Sequence, residues 1–167
     1  SSLIGYNKNS RLRYMDNKVL VGVVSSDYVR AKTAVTIASI IKRFPNSDLM
    51  IKQGCYLHLN REHVAQHAID KGFEYLFFVD SDMCFSALVL DRFIQDNKDV
   101  VGAHYNCRTL PLVSTVKLTD NNDKLIAGTS EFPKELTKVH ALGTGCLLIK
   151  TAVFKKIKKP LHWKQLM

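Results

Sequence analysis

Apolar positions along the chain follow two different periods in turn, and that alternation predicts an α/β fold. Val19-Leu-Val-Gly-Val-Val24 is an unbroken apolar run of strand length, as expected of a strand covered on both faces. From Tyr28 to Arg43 the spacing becomes helical, with Ala31, Val35, Ala38 and Ile41 or Lys42 advancing along one stripe until Pro45 stops it. Asp48 to Lys52 predicts a weaker second strand. Asn60 offers an N-cap to a helix over His63–Lys71, with Val64 and Ala68 inward and Gly72 at the C′ position. Tyr75-Leu-Phe-Phe-Val79 is the densest apolar run and predicts a central strand. Ser86 caps the next helix, whose inner stripe is Leu90, Phe93 and Ile94, and Asp99 to Ala103 returns as a fourth strand. Strands and helices in this order imply right-handed crossovers and a mostly parallel sheet with helices on both faces.

The second half changes period. Leu112–Leu118 and Lys124–Ala127 flank Thr119-Asp-Asn-Asn-Asp123, a hairpin signal, and Lys138–Leu142 and Cys146–Ile149 flank Gly143-Thr-Gly145. A mixed sheet is the expected result. Thr151 to Lys159 predicts a short basic helix ended by Pro160. Residues 1–17 are polar enough for a loosely held arm, which leaves 18–167 as a single domain.

Composition adds little to this picture except through charge and cysteine. With 167 residues, 46% of them hydrophobic and 23% charged, the chain has an ordinary globular make-up that excludes disordered, collagenous and coiled-coil classes. No apolar run reaches the roughly 18 residues a membrane helix needs. Cys55, Cys84, Cys107 and Cys146 form no Cys-x-x-Cys pair, so free buried thiols in a reducing, cytoplasmic-type compartment are expected, although an anchor upstream of Ser1 is invisible to this sequence. His104 and Cys107 stand three apart, but no second pair at zinc-ligand spacing follows. The formal charge is +9, and Lys150, Lys155, Lys156, Lys158, Lys159 and Lys164 fall in a final stretch that carries no acid. Such a surface attracts phosphates in general. A solvated helix face explains it more simply than a nucleic-acid site, because no aromatic-interleaved basic motif accompanies the charge.

The sharpest candidate chemistry is Asp80-Ser-Asp82, placed directly after the most apolar strand. Ligands of open α/β sheets bind outside the carboxyl ends of the strands, and residues two apart in extended backbone face the same side. Two neighbouring carboxylates repel each other, and a divalent cation relieves the repulsion. Hard oxygen donors suit Mg2+ or Mn2+, which complete their shells with water and substrate phosphates.

In its context this motif resembles the GT-A glycosyltransferases. Asn60-Arg-Glu-His-Val-Ala-Gln-His-Ala-Ile-Asp-Lys-Gly-Phe-Glu-Tyr-Leu-Phe-Phe-Val-Asp-Ser-Asp-Met83 is similar to that family's signature: an arginine opening a helix, a glycine, an apolar strand, then the metal-binding Asp-x-Asp. Val100–Ala103 and Ala141–Lys150 are similar to later segments, so the resemblance spans about residues 18 to 160. It implies a GT-A-like fold and a metal-dependent transfer of a hexose from a UDP- or GDP-sugar to a glycan or protein acceptor. On the same basis Ser25, Ser26 and Asp27 would line the base and ribose pocket, and Arg61 would reach the base or diphosphate. Asp80 would contact ribose or metal, Ser81 would belong to the nucleotide and donor site, and Asp82 would bind the metal. Gly143, Thr144 and Gly145 would let backbone approach the sugar, and His104, Tyr105 and Asn106 lie at the correct sheet edge to touch donor sugar or acceptor. Position 62 departs from the family, with Glu62 where a small polar residue is common. The family also continues with an acceptor-side base and a last metal ligand, so the resemblance implies a chain that stops short; His162 is the one late histidine for that role.

Two other readings compete. Phosphatases of the haloacid dehalogenase type also place Asp-x-Asp after an apolar strand, but normally the first strand of the fold, whereas two precede it here. A non-catalytic nucleotide or nucleic-acid binding module would use the basic tail instead.

Overall fold

The computed structural model describes residues 14–105, 116, 118–119, 125–126 and 135–157. In chain order the elements are β1 (Val19–Ser25), α1 (Ala31–Arg43), β2 (Asp48–Gln53), α2 (Leu57–Asp70), β3 (Tyr75–Asp80), α3 (Leu88–Asp96) and β4 (Val100–Gly102). After these come β5 (Leu118–Thr119), β6 (Leu125–Ile126), β7 (Cys146–Lys150) and α4 (Ala152–Lys156). The main sheet has five strands in the order β2-β1-β3-β7-β4. β2, β1 and β3 are parallel, and β7 is antiparallel to both β3 and β4, so β4 runs in the direction of β3. This is the Rossmann-type α/β arrangement of a mostly parallel sheet between helices that the sequence predicts, with β3 at its centre and one reversed strand making the sheet mixed.

Two buried clusters, one on each face of the sheet, hold the layers together. Val19, Val21 and Val23 of β1 pack with Ile37 and Ile40 of α1 and Leu90, Phe93 and Ile94 of α3. On the opposite face Leu20 and Val24 pack with Val64, Ala65 and Ala68 of α2, and Phe154 of α4 adds to them. Because successive strand side chains alternate in direction, one continuous apolar run serves both layers. Gly22 interrupts that run for a steric reason. A Cβ there would stand 2.6 Å from Val64 Cγ1 and 3.3 Å from Leu76 Cδ1, so the missing side chain lets α2 seat closely on β1. Arg43 Nε donates to Asp91 Oδ2 at 2.6 Å and ties α1 to α3. That bond holds the Arg43 guanidinium above its ordinary pKa.

Several local expectations are corrected. α1 begins at Ala31, and its buried residues are Thr33, Thr36, Ile37 and Ile40, while Val35 is 66% exposed and Ala31 and Ala38 also face solvent. The apolar stripe is therefore displaced onto two threonines: Thr36 Oγ1 donates to the Phe85 carbonyl at 3.0 Å, whereas the Thr33 hydroxyl is buried with no hydrogen-bond partner among the described residues. α2 starts at Leu57 with Tyr56 at the cap, so Asn60 lies within the helix and its Nδ2 donates to the Gly54 carbonyl at 3.4 Å instead. Gly72 does take a left-handed φ of 66° just after that helix; the N-cap of α3 is Ala87 rather than Ser86, whose Oγ accepts the Leu88 N–H at 3.3 Å from one position earlier. The stretch 138–142 is not a strand and holds one isolated bridge at Ala141. The hairpin is a two-residue ladder between β5 and β6. α4 ends at Lys156, earlier than the basic pattern implied. Cys146 is buried, but Cys55 and Cys84 are exposed, against the expectation of buried thiols, and all three are free. Tyr14 packs against the first cluster, so the N-terminal arm is anchored at least at that residue. Among the described residues no helix is long and apolar enough to cross a membrane.

Candidate functional site

The strand register sets one edge of the sheet as the place where candidate groups meet. Ser25 pairs with Gln53 and Val24 with Asp80, so the carboxyl ends of β1, β2 and β3 are nearly level. β7 enters at the same edge, with Cys146 opposite Val79. Asp80, Gly145 and the residues after β4 are thereby neighbours, although far apart in sequence.

Asp80 is the hub. Its N–H donates to the Gly145 carbonyl at 2.9 Å and its carbonyl accepts the Met83 N–H at 3.1 Å. These bonds fix the loop Asp80–Met83 against the start of β7. Arg61 Nη2, in the second turn of α2, donates to Asp80 Oδ1 at 3.3 Å. Both side chains remain about a third exposed, so the pair faces solvent and a ligand's charge can compete for either member. Arg61 sits one turn before Val64, the residue that packs over Gly22, and the helix seat therefore sets the reach of the guanidinium.

Tyr105 closes the other side. Its phenol oxygen accepts the Gly145 N–H at 2.7 Å. Burial pushes the Tyr105 hydroxyl above its ordinary pKa, with the Asp80 charge adding to the effect against the Gly145 hydrogen bond and Arg61. The phenol therefore stays protonated at neutral pH. Gly145 has no room for a side chain: a Cβ would lie 2.6 Å from Tyr105 Oη and 2.8 Å from Asp80 Oδ2. Beside it, burial pushes the Cys146 thiol up to about 12, which makes it a packing residue rather than a nucleophile.

The remaining sequence candidates separate into two groups. Ser25 is buried, and its hydroxyl donates to the Tyr28 carbonyl at 2.7 Å, shaping its own loop. Ser26 and Asp27 are exposed beyond β1, with Gln53 Nε2 donating to the Asp27 carbonyl and the Gly54 N–H to the Ser25 carbonyl at 3.0 Å. The Ser81 carbonyl accepts the Arg30 N–H at 2.9 Å, and Asp82 is partly buried just beyond it. Gly143 and Thr144 form the partly buried approach to Gly145. His104 lines a separate cavity of about 840 Å3 between α3, β4 and residues 135–142, with Phe93, Leu136, His140 and Leu142. Asn106 and His162 lie outside the described residues. Sequence reasoning missed Gly22, Gln53, Gly54 and Arg30; only Gly54, directly after a strand and at φ 133°, carried a turn signal.

Asp80 and Asp82 stand two positions apart at the end of β3, with Asp80 paired to Arg61. Among the described residues no group of three or more His, Cys, Asp or Glu side chains is gathered as a closed metal cage. Hard carboxylate oxygens of this type are the kind of donor that Mg2+ and Mn2+ take together with water and phosphate oxygens.

No family model and no curated protein matches the sequence. Among solved structures, A197 from STIV is similar over 86% of this chain and 70% of its own, at 20% identity and a TM-score of 0.57. That likeness is one of fold. The 4-diphosphocytidyl-2C-methyl-D-erythritolsynthase from Anaerococcus prevotii DSM 20548 aligns over 90% of this chain and 81% of its own, at 11% identity and a TM-score of 0.42.

Proposed function

We propose that the chain is a metal-dependent glycosyltransferase domain that binds a UDP- or GDP-sugar at the carboxyl edge of the sheet and transfers the sugar to an acceptor hydroxyl. The observation that supports this most is the convergence of Asp80, Arg61, Tyr105 and Gly145 at the end of the central strand, two residues before Asp82. Asp80 and Asp82 would hold the Mg2+ or Mn2+. The bound cation would supply charge neutralisation for the diphosphate leaving group.

This chain's own residues supply the rest. Arg61, paired with an exposed carboxylate, can turn its guanidinium to a phosphate in the bidentate manner that arginine favours. Stabilising negative charge as it develops on the leaving group is the largest contribution such a site makes. Tyr105 holds the Gly145 N–H and so fixes the start of β7 beside Asp80. The buried face of Gly145 keeps the sugar side narrow, and the exposed loop after β1 is open to a base and ribose.

Asp82→Asn tests the reading. The change nearly preserves shape, and the residue lies beyond the strand, so the fold should survive. Affinity for the manganese complex of UDP or GDP should fall steeply, and transfer or donor hydrolysis by about a thousandfold, which is ~4 kcal/mol of barrier. Titration calorimetry with each nucleotide checks this; a variant with unchanged manganese-nucleotide affinity contradicts the metal assignment.

A further inference from the structure

β2 lies at one edge of the sheet and, among the described residues, pairs with β1 alone. An edge strand presents free N–H and C=O groups and is ordinarily kept from pairing by short length or by like charges. β2 is six residues long, and its charges follow a different rule. Asp48 and Lys52 stand two positions either side of Met50, and Leu49 and Ile51 one position either side. An antiparallel copy of the same strand, registered on Met50, therefore sets Asp48 opposite Lys52 twice and Leu49 opposite Ile51 twice. The segment is complementary to itself.

The flanking surface agrees with that register. Leu49 and Ile51 pair with Val21 and Val23 of β1, so they lie on the face that carries α1, yet they are 39% and 50% exposed. α2 packs on the other face through Met50. At 100° per residue, Ala34 and Ala38 of α1 lie on the flank away from Thr36 and Arg43, which bind Phe85 and Asp91 on the α3 side. Both alanines are exposed, so bare apolar surface borders β2 on the same face as Leu49 and Ile51. Asp48 spends one oxygen on the Leu49 N–H at 2.8 Å, and no ion pair holds Lys52 among the described residues.

We propose that β2 is a homodimer interface, in which a second copy of this chain adds its β2 antiparallel about a two-fold axis at Met50. The sheet then continues across the axis, closed by Asp48–Lys52 pairs at each end and by Leu49–Ile51 contacts with the α1 flanks. An isologous contact of this kind is the commonest form of symmetric assembly. Both carboxyl-edge sites stay open, so the proposal stands independently of what those sites bind.

Sedimentation equilibrium of the full chain tests it, at a salt near 0.15 M where the repulsion between two basic protomers is screened beyond about 8 Å. A concentration-dependent monomer–dimer equilibrium is expected. Asp48→Lys and Lys52→Asp should each weaken it about tenfold or more, since each places two like-charged pairs across the axis, and the double exchange Asp48→Lys with Lys52→Asp should restore it to within about threefold. Ile51→Lys should abolish it, and circular dichroism and melting of each monomer should match the parent. A monomer at all concentrations overturns the proposal, and so does a dimer or higher species indifferent to both single exchanges. Failure of the double exchange to restore a dimer that the single ones break, with the variant folded, overturns the Met50 register and the proposal with it.

Discussion

Gly145 is the residue at which packing and chemistry are hardest to separate. Its backbone is not in the left-handed region, so alanine is conformationally allowed there, and the objection to a side chain is purely steric. A Cβ at 2.6 Å from Tyr105 Oη and 2.8 Å from Asp80 Oδ2 would push both groups off their present bonds. Gly145→Ala should cost about 1–3 kcal/mol of stability as an overpacked site. It should also lower nucleotide affinity by an order of magnitude or more, and a melting curve paired with a nucleotide titration checks both. At this scale much was legible. Asp80 and Asp82 stood out because a carboxylate pair after an apolar strand has a limited set of uses, and Gly145 and Tyr105 because both lie beyond strand ends. What pairs with what was not legible, since the Arg61–Asp80 and Tyr105–Gly145 bonds join residues 19 and 40 positions apart.

Among the elements, α2 matters most, because it carries Arg61 and rests on a strand hollowed by Gly22. Val64 is β-branched, fully buried and stiff at χ1, so it yields little to a new methyl 2.6 Å away. Gly22→Ala should therefore lift the helix, destabilise the fold by about 1–3 kcal/mol, and weaken nucleotide binding beyond that loss. A control such as Phe93→Leu, in the cluster on the opposite face, should lose comparable stability with binding retained. Equal binding by both variants would contradict the link between the Gly22 seat and Arg61. The periodicity of α2 and α3 was readable because Val64, Ala68, Leu90, Phe93 and Ile94 are apolar and face inward. α1 misled: Thr33 and Thr36 are buried, while Val35 is not. Counting apolar residues cannot see that the Thr36 hydroxyl finds the Phe85 carbonyl on a neighbouring loop.

Over the whole molecule, charge and chemistry occupy different ends of the sheet. Lys150 pairs with Tyr75 at the start of β3, and Lys150 and Lys156 both approach Asp99 at 3.6 and 3.5 Å. The described part of the basic tail thus lies at the amino end of the central strand, opposite Asp80. The alternation of strands and helices up to β4 and the parallel direction of β1, β2 and β3 were foreseeable. The insertion of β7 between β3 and β4 was not, because a long connection leaves no local trace of where its strand returns. On the proposed function, Asp80 and Asp82 bind a diphosphate only through a cation, since two carboxylates alone repel it and a bound divalent ion reverses that sign. Thermal melting with UDP and with GDP, each in manganese, magnesium or EDTA, measures this directly, because a ligand at a hundred times its Kd stabilises the native state by about 2.7 kcal/mol, or roughly 5–10 °C for a chain of this size. A rise of that order with metal and one nucleotide, absent in EDTA, is the result predicted; an equal rise in EDTA, or none with either nucleotide and either metal, would contradict it.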